Sequence, residues 1–146
     1  MNITYDKLDL NILKLLQNDA RASYKSIAEK LSVSVPTIAA RVKNLTDSGA
    51  IKGFFTEIDR SVTGGGISAF VDMEVPPAAK EERYSFLRSS PQVSECYRVT
   101  GEYSLLIKVF FKATTDMDKF LNELQRYGRT QTQIVFSTVI EHRGVL

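Results

Sequence analysis

Where the hydrophobic period of this chain changes constrains its fold more than any single motif. Through residue 48 the apolar residues recur at helical spacing. Leu8, Ile12, Leu15 and Leu16 fall at i, i+4, i+7 and i+8 and define a first helix over 6–18, and Ile27, Ala28 and Leu31, then Ile38, Val42 and Leu45, keep the same period. After residue 66 a period of two appears: Ile67, Ala69, Val71, Met73 and Val75 alternate with more polar neighbours, as do Tyr103, Leu105, Ile107, Val109 and Phe111. A helical stripe and an alternating strand cannot share one local geometry, so the order implies an all-helical front and a mixed back. Between them Asp59 to Gly66 (DRSVTGGG) is rich in turn formers and has no period, which marks a linker. The expected organisation is a helical domain over 1–59, a linker over 60–66 and a second domain over 67–146.

Helix boundaries are marked by residues that satisfy orphaned backbone groups. Ser23 precedes a short second helix over 24–31, and Ser34 precedes a third over 35–48, with Pro36 in the first turn, where its missing N–H costs nothing. Gly49 suits the left-handed residue that ends a helix. Ile51 to Ile58 (IKGFFTEI) reads as extended, the wing of a winged helical domain.

Behind the linker the pattern predicts a strand over 67–75 stopped by Pro76-Pro77, a helix over 78–89 and a strand over 93–100. A two-residue hairpin at Gly101-Glu102 leads to a strand over 103–111. Thr115 and Asp118 form a capping-box signal for a helix carrying Met117, Phe120, Leu121, Leu124 and Tyr127 up to Gly128, and Thr132 to Ile140 alternates again. The order βαββαβ predicts an α+β, ferredoxin-like split sheet with both helices on one face. Those helices should cover Ile67, Val71, Leu105, Ile107, Val109, Ile134 and Phe136. The opposite face then carries Phe70, Leu106, Phe110, Val135 and Val139, an apolar patch that calls for a cover, either a second sheet packed against it in a symmetric dimer or the more polar linker and N-terminal residues of the same chain.

Composition narrows the partners. The 146 residues hold 19 Lys and Arg against 17 Asp and Glu, and residues 1–59 hold 8 against 7, so no bulk field draws the chain to nucleic acid or membrane. DNA binding would need a local cation cluster. One cysteine (Cys96) and one histidine (His142) exclude an intrachain disulfide and a Cys/His zinc site, so no metal or cofactor is expected. Cys96 reads as a small packing residue of a strand and His142 as a surface side chain. The N-terminus lacks a signal-peptide pattern, and no segment approaches the ~20 apolar residues of a membrane span, which predicts a cytoplasmic protein with no membrane partner.

A local cluster is present. The stretch IAEKLSVSVPTIAARVKNL is a helix, a three-residue turn and a second helix, held together by Ile27, Leu31, Ile38, Val42 and Leu45. With 38, 42 and 45 inward, Thr37, Ala40, Arg41 and Asn44 share an outward face at i, i+3, i+4 and i+7, the face a recognition helix lays in the major groove. Arg41 offers a forked donor, Asn44 a paired donor and acceptor, and Thr37 and Ala40 small groups that fit a thymine methyl. Lys25, Lys30, Lys43 and Lys52 flank it and residues 30–46 contain no acidic side chain, while the amides near Ser34 can meet a phosphate.

The segment LDLNILKLLQNDARASYKSIAEKLSVSVPTIAARVKNLTDSGAIKGFFTEID resembles the N-terminal domain of the Lrp/AsnC (feast/famine) transcription regulators, and VTGEYSLLIKVFF resembles the glycine-centred hairpin of their effector domain. The resemblance covers nearly the whole chain and is most diagnostic in its helix-turn-helix. It implies a sequence-specific regulator of transcription that binds double-stranded DNA. A βαββαβ domain would assemble dimers into larger rings and bind small effectors, commonly amino acids, at the hairpin Gly101, Glu102, Tyr103 and Ser104. One departure stands out: the family pattern usually has an acidic residue where this chain has Ser104, and a hydroxyl supplies no charge for an ammonium group. Either the effector differs, Glu102 takes that role, or no amino acid binds. Two other classes compete for the βαββαβ domain: a small-molecule enzyme, and an RNA-binding module using the sheet. The chain offers no nucleophile with an adjacent base and no phosphate loop, and YSLLIKVFF lacks the basic-glycine-aromatic pattern of an RNA-binding sheet, so the expectation is a regulator and not an enzyme.

Overall fold

The computed structural model of the chain describes residues 4–59, 62, 66–76, 80–144 and 146. It divides into two compact units, one of residues 1–57 with 141–146, the other of residues 58–140. The division falls just ahead of the predicted linker, of which 60, 61 and 63–65 lie outside the described residues, and the last six residues group with the helical unit. There the Leu146 amide donates to Gln17 Oε1 at 2.9 Å.

The first unit contains α1 (Lys7–Asn18), α2 (Tyr24–Leu31) and α3 (Val35–Asp47). Its core is the stripe read from the sequence: Ile12, Leu16, Ile27, Ala28, Ile38, Val42 and Leu45 are all buried. Ser23 and Ser34 cap α2 and α3 by accepting from the amides of Ser26 and Thr37, and Gly49 takes a left-handed φ of 77° just past α3. Ser32, in the turn between α2 and α3, adopts φ 55°, a left-handed conformation that the sequence did not signal. The start of α1 carries a reciprocal capping box of Asp6 and Asp9, which the helical period does not announce. Residues 52–58, expected to be extended, belong to no strand in the single chain, and Phe55 is 82% exposed.

The second unit contains β1 (Ile67–Met73), α4 (Lys80–Ser89), β2 (Val93–Arg98), β3 (Leu105–Phe111), α5 (Thr114–Gln125) and β4 (Thr130–Ile134). The sheet order is β2-β3-β1-β4 with every pairing antiparallel, the split arrangement that βαββαβ predicts. Ala69, Val71, Met73, Leu105, Ile107, Val109 and Phe111 form the buried sheet face, and Leu87 of α4 and Phe120 and Leu124 of α5 close it. Arg83 of α4 is buried as well, which the sequence did not suggest.

Several expectations need correction. The start of α5 is at Ala113, with no side-chain cap, so Thr115 and Asp118 do not form a capping box. The hairpin between β2 and β3 runs over 99–104 rather than two residues, closed by the Val99 amide donating to Ser104 O at 3.0 Å. Strand β4 starts earlier and stops at Ile134. Its register with β1 ends at Ala69↔Ile134, and one further bond, from the Val135 amide to Ser68 O at 2.9 Å, completes the ladder. Beyond that the alternating segment has no neighbouring strand. Ile134 is therefore exposed, Phe136 is 101% exposed instead of lying under the helices, and Val139, 92% exposed, is not on the sheet. Val135 is half-buried.

Candidate nucleic-acid interface and effector surface

The short serine-capped α2, the turn at Ser32 and α3 put the predicted contact residues on the surface of the helical unit. Ser34, Ala40, Lys43 and Asn44 are exposed and Thr37 is half-buried, its hydroxyl 2.8 Å from Ser34 Oγ. Thr37, Ala40 and Asn44 thus follow one another along the side of α3 away from the buried Ile38, Val42 and Leu45. Lys25 and Lys30 on α2 and Lys52 after α3 are exposed too. Lys43 pairs with Asp47 one turn on, at 2.5 Å, but both side chains are well exposed, and such a pair contributes only about 0.3–0.5 kcal/mol. A phosphate can therefore recruit Lys43 at little cost.

Arg41 is disposed differently from the forked donor expected at the groove. Its Nη1 donates to Asp6 Oδ2 at 2.6 Å and to Asp9 Oδ1 at 3.1 Å, both at the start of α1. Asp6 is held below the usual carboxylate range, first by the Asp9 amide that donates to it and then by the Arg41 guanidinium, whose own pKa is raised by the same contacts.

In the second unit, residues distant in sequence meet at one end of the sheet. Gly101 takes φ 119° at the tip of the hairpin, where an added side chain would meet open space but strained backbone. The Ser104 amide donates to Met73 O at 2.9 Å and so pins the hairpin base to the end of β1. Across β1, the Glu74 amide donates to Arg129 O at 2.9 Å. Gly128 permits that approach, because a Cβ there would stand 2.2 Å from Glu74 O. The Arg129 guanidinium then joins Glu74, at 3.1 Å, and Glu102 of the hairpin, and it lies 5.4 Å from the centre of the Tyr103 ring. Tyr103 Oη completes the group by donating to Gln131 Oε1 at 3.1 Å. Glu102, the residue considered as a substitute for the family acid, is therefore already paired within the chain. Glu74, Arg129 and Gln131 were missed by the sequence reading, since nothing local to 74 or 129 points toward 102.

On the sheet face away from the helices, Phe70, Leu106 and Phe110 are half-buried in the single chain. They are not alone. Lys108 pairs with Glu95 at 2.9 Å, Gln133 donates to Asp72 at 2.7 Å, and Tyr97 donates to Glu95, which raises the Tyr97 pKa. The face is amphipathic, with apolar side chains interleaved with satisfied polar pairs, and is less uniformly apolar than the sequence suggested. Cys96, on edge strand β2, is exposed at the surface, yet partial desolvation by its neighbours raises its thiol pKa, the opposite of a reactive thiolate.

A three-helix unit with a capped helix-turn-helix, joined to a split βαββαβ unit, defines a two-part DNA-binding regulator. Residues 5–52 match the family described as winged helix-turn-helix DNA-binding, and residues 68–145 match the Lrp/AsnC ligand binding domain. The chain is 30% identical over 139 residues to the HTH-type transcriptional regulator LrpC of Bacillus subtilis, covering 95% of this chain and 96% of that one. It is 31% identical over 141 residues to the HTH-type transcriptional regulator FL11 of Pyrococcus horikoshii, covering 94% and 93%. Among solved structures, the transcriptional regulator NMB0573 of Neisseria meningitidis in complex with L-Met superposes with a TM-score of 0.88 at 27% identity, over 98% of this chain and 96% of that one. The chain belongs to the Lrp/AsnC family of helix-turn-helix transcriptional regulators.

Proposed function

We propose that the chain is a cytoplasmic regulator that binds duplex DNA as a homodimer, with higher rings built from dimers, and that a small amino-acid effector modulates it. The observation that carries this reading is the division of labour between two separately cored units. One presents Thr37, Ala40 and Asn44 between exposed lysines, and the other gathers Glu102, Tyr103, Arg129 and Gln131 at one end of its sheet. Thr37, Ala40 and Asn44 read base edges, while Lys25, Lys43 and the amides near Ser34 engage phosphates and fix the register. A second copy covers Phe70, Leu106, Phe110 and Val135. Catalysis forms no part of this reading, since the relatives named above are transcriptional regulators.

The effector reading draws on the L-Met complex of NMB0573 and on the hairpin Gly101, Glu102, Tyr103 and Ser104. Ser104 provides no charge, so the ammonium of an amino acid turns to Glu102, whose carboxylate must then serve both that ammonium and Arg129. Selection of bound duplexes from a random library, followed by footprinting, tests the DNA reading. The expected sites are imperfect palindromes with half-sites about 10 bp, or a multiple of that, apart. Protection of one half-site by a bound monomer contradicts it. Thermal shift of the full chain against the twenty L-amino acids tests the effector reading, with a saturable rise expected for one or a few and no response to any of them as the contrary result.

A further inference from the structure

The carboxylate oxygens at the start of α1 are divided with no overlap. Asp6 uses Oδ1 to accept from the Asp9 amide, at 2.8 Å, and Oδ2 for Arg41. Asp9 uses Oδ2 to accept from the Asp6 amide, at 3.1 Å, and Oδ1 for Arg41. The capping box that starts α1 and the ion pair that reaches α3 therefore form one closed network, in which Asp9 is 8% exposed. An arginine drawn out to a base edge would leave that buried carboxylate without its cation, a costly state. Ile12 and Leu16 of α1 and Ile38 and Val42 of α3 belong to one buried apolar cluster, whose dispersion contacts have little directional preference. The bifurcated contact from Arg41 Nη1 supplies the directional constraint that the apolar cluster lacks.

We infer that Arg41 is a positioning residue: it sets the placement of α3 against α1 through Asp6 and Asp9, and does not itself read a base. Specificity then falls to Thr37, Ala40 and Asn44. This rests on the reading of α3 as the DNA-contacting helix and assigns a different task to one of its side chains.

The two roles make opposite predictions for a variant that leaves the arginine in place. The full chain and its D9N, D6N, R41Q, R41K and D9N/R41Q variants are titrated with a duplex selected by the wild type and with a scrambled duplex. Titrations are run well below each variant's unfolding temperature, so that a purely stabilising role would leave affinity unmoved. A positioning role predicts that D9N and R41Q each weaken binding to the selected duplex about tenfold, as loss of a charge-assisted contact does, with D9N/R41Q no worse than either alone. It also predicts that R41K recovers part of the loss and that the R41Q loss is spread evenly over single base-pair changes across the half-site. Should D9N fail to fold, the exposed D6N carries the same test with a smaller loss. Unchanged or tighter binding by D9N or D6N, with the R41Q loss confined to one base pair, overturns the proposal. Equal wild-type affinity for the selected and scrambled duplexes overturns the reading of α3 itself, and this inference with it.

Discussion

Each helix of the helical unit begins at a side-chain cap within a few residues of it, Asp6, Ser23 and Ser34 for α1, α2 and α3, whereas α5 of the α+β unit begins at Ala113 with no side-chain cap at all. The same contrast holds for polar contacts. In the helical unit most close within one turn, with the Arg41 network and the Leu146 amide on Gln17 as long-range exceptions. The α+β unit has local pairs too, but several of its contacts join positions far apart in sequence, Glu74 to Arg129, Glu102 to Arg129 and Tyr103 to Gln131. The caps and turns of the helical unit are thus set largely by local signals. The α+β unit depends on non-local pairing and leaves Phe136 and Val139 exposed along with the half-buried Phe70, Leu106 and Phe110. On the function proposed above, its surface receives a second copy and a ligand, and that of the helical unit receives DNA.

The largest expected effect tests this incompleteness. Phe110→Asp or Leu106→Lys places a charge at the proposed contact between copies, where an unpaired buried charge costs about 3–5 kcal/mol. Sedimentation of the full chain should show monomers, and DNA affinity should fall by roughly 10²-fold or more as the linked second half-site is lost. Wild-type protein that sediments as a monomer at tens of micromolar breaks the comparison outright.

Next come the two cores. Ile38→Ala and Ile107→Ala remove fully buried side chains and should each cost about 2–5 kcal/mol, but in different units. Calorimetry of the full chain should show two transitions, with each variant lowering one of them. A single transition lowered equally by both variants would show that the cores are coupled.

How much of this was legible in the sequence follows from the same contrast. The helix-turn-helix could be read because its signals are local: Ser23, Ser34, Pro36 and Gly49 stand where caps and turns need them, and the buried stripe of α3 is the one predicted. Spacing alone puts Arg41 on the outward face and gives no hint of its pairing with Asp6 and Asp9. The D-x-x-D start of α1 was the available signal, but a long side chain reaching 32 residues back is invisible to periodicity. Alternation over 132–140 was real, yet β4 stops at Ile134, because alternation announces a strand without saying which chain holds its neighbour. The grouping of Glu74, Glu102 and Arg129 depends on Gly128 and on sheet order, and no window of sequence contains it.

Smaller effects sharpen the contrast in caps. Ser34→Ala should cost about 1 kcal/mol through the lost bond to the Thr37 amide, while Thr115→Ala, outside any cap, should stay within about 0.5 kcal/mol of the wild type. Urea unfolding distinguishes the two. The smallest effect comes from pH. Because the Asp6 pKa is lowered in the folded state, its contribution is present above the ordinary carboxylate value and is lost as pH falls through the lowered one. The helical unit's melting temperature should gain no such loss above about pH 4 and should decline below it, more steeply in the wild type than in Asp6→Asn.

The central claim, that α3 reads sequence while its flanking lysines hold the backbone, is tested most directly by titrating Asn44→Ala and Lys43→Ala in parallel against a wild-type-selected duplex and a scrambled one. Asn44→Ala should lose about 1–3 kcal/mol on the selected duplex and almost nothing on the scrambled one, while Lys43→Ala should lose equally on both and reduce the salt dependence by about one charge. Equal losses on the two duplexes for Asn44→Ala would contradict the account.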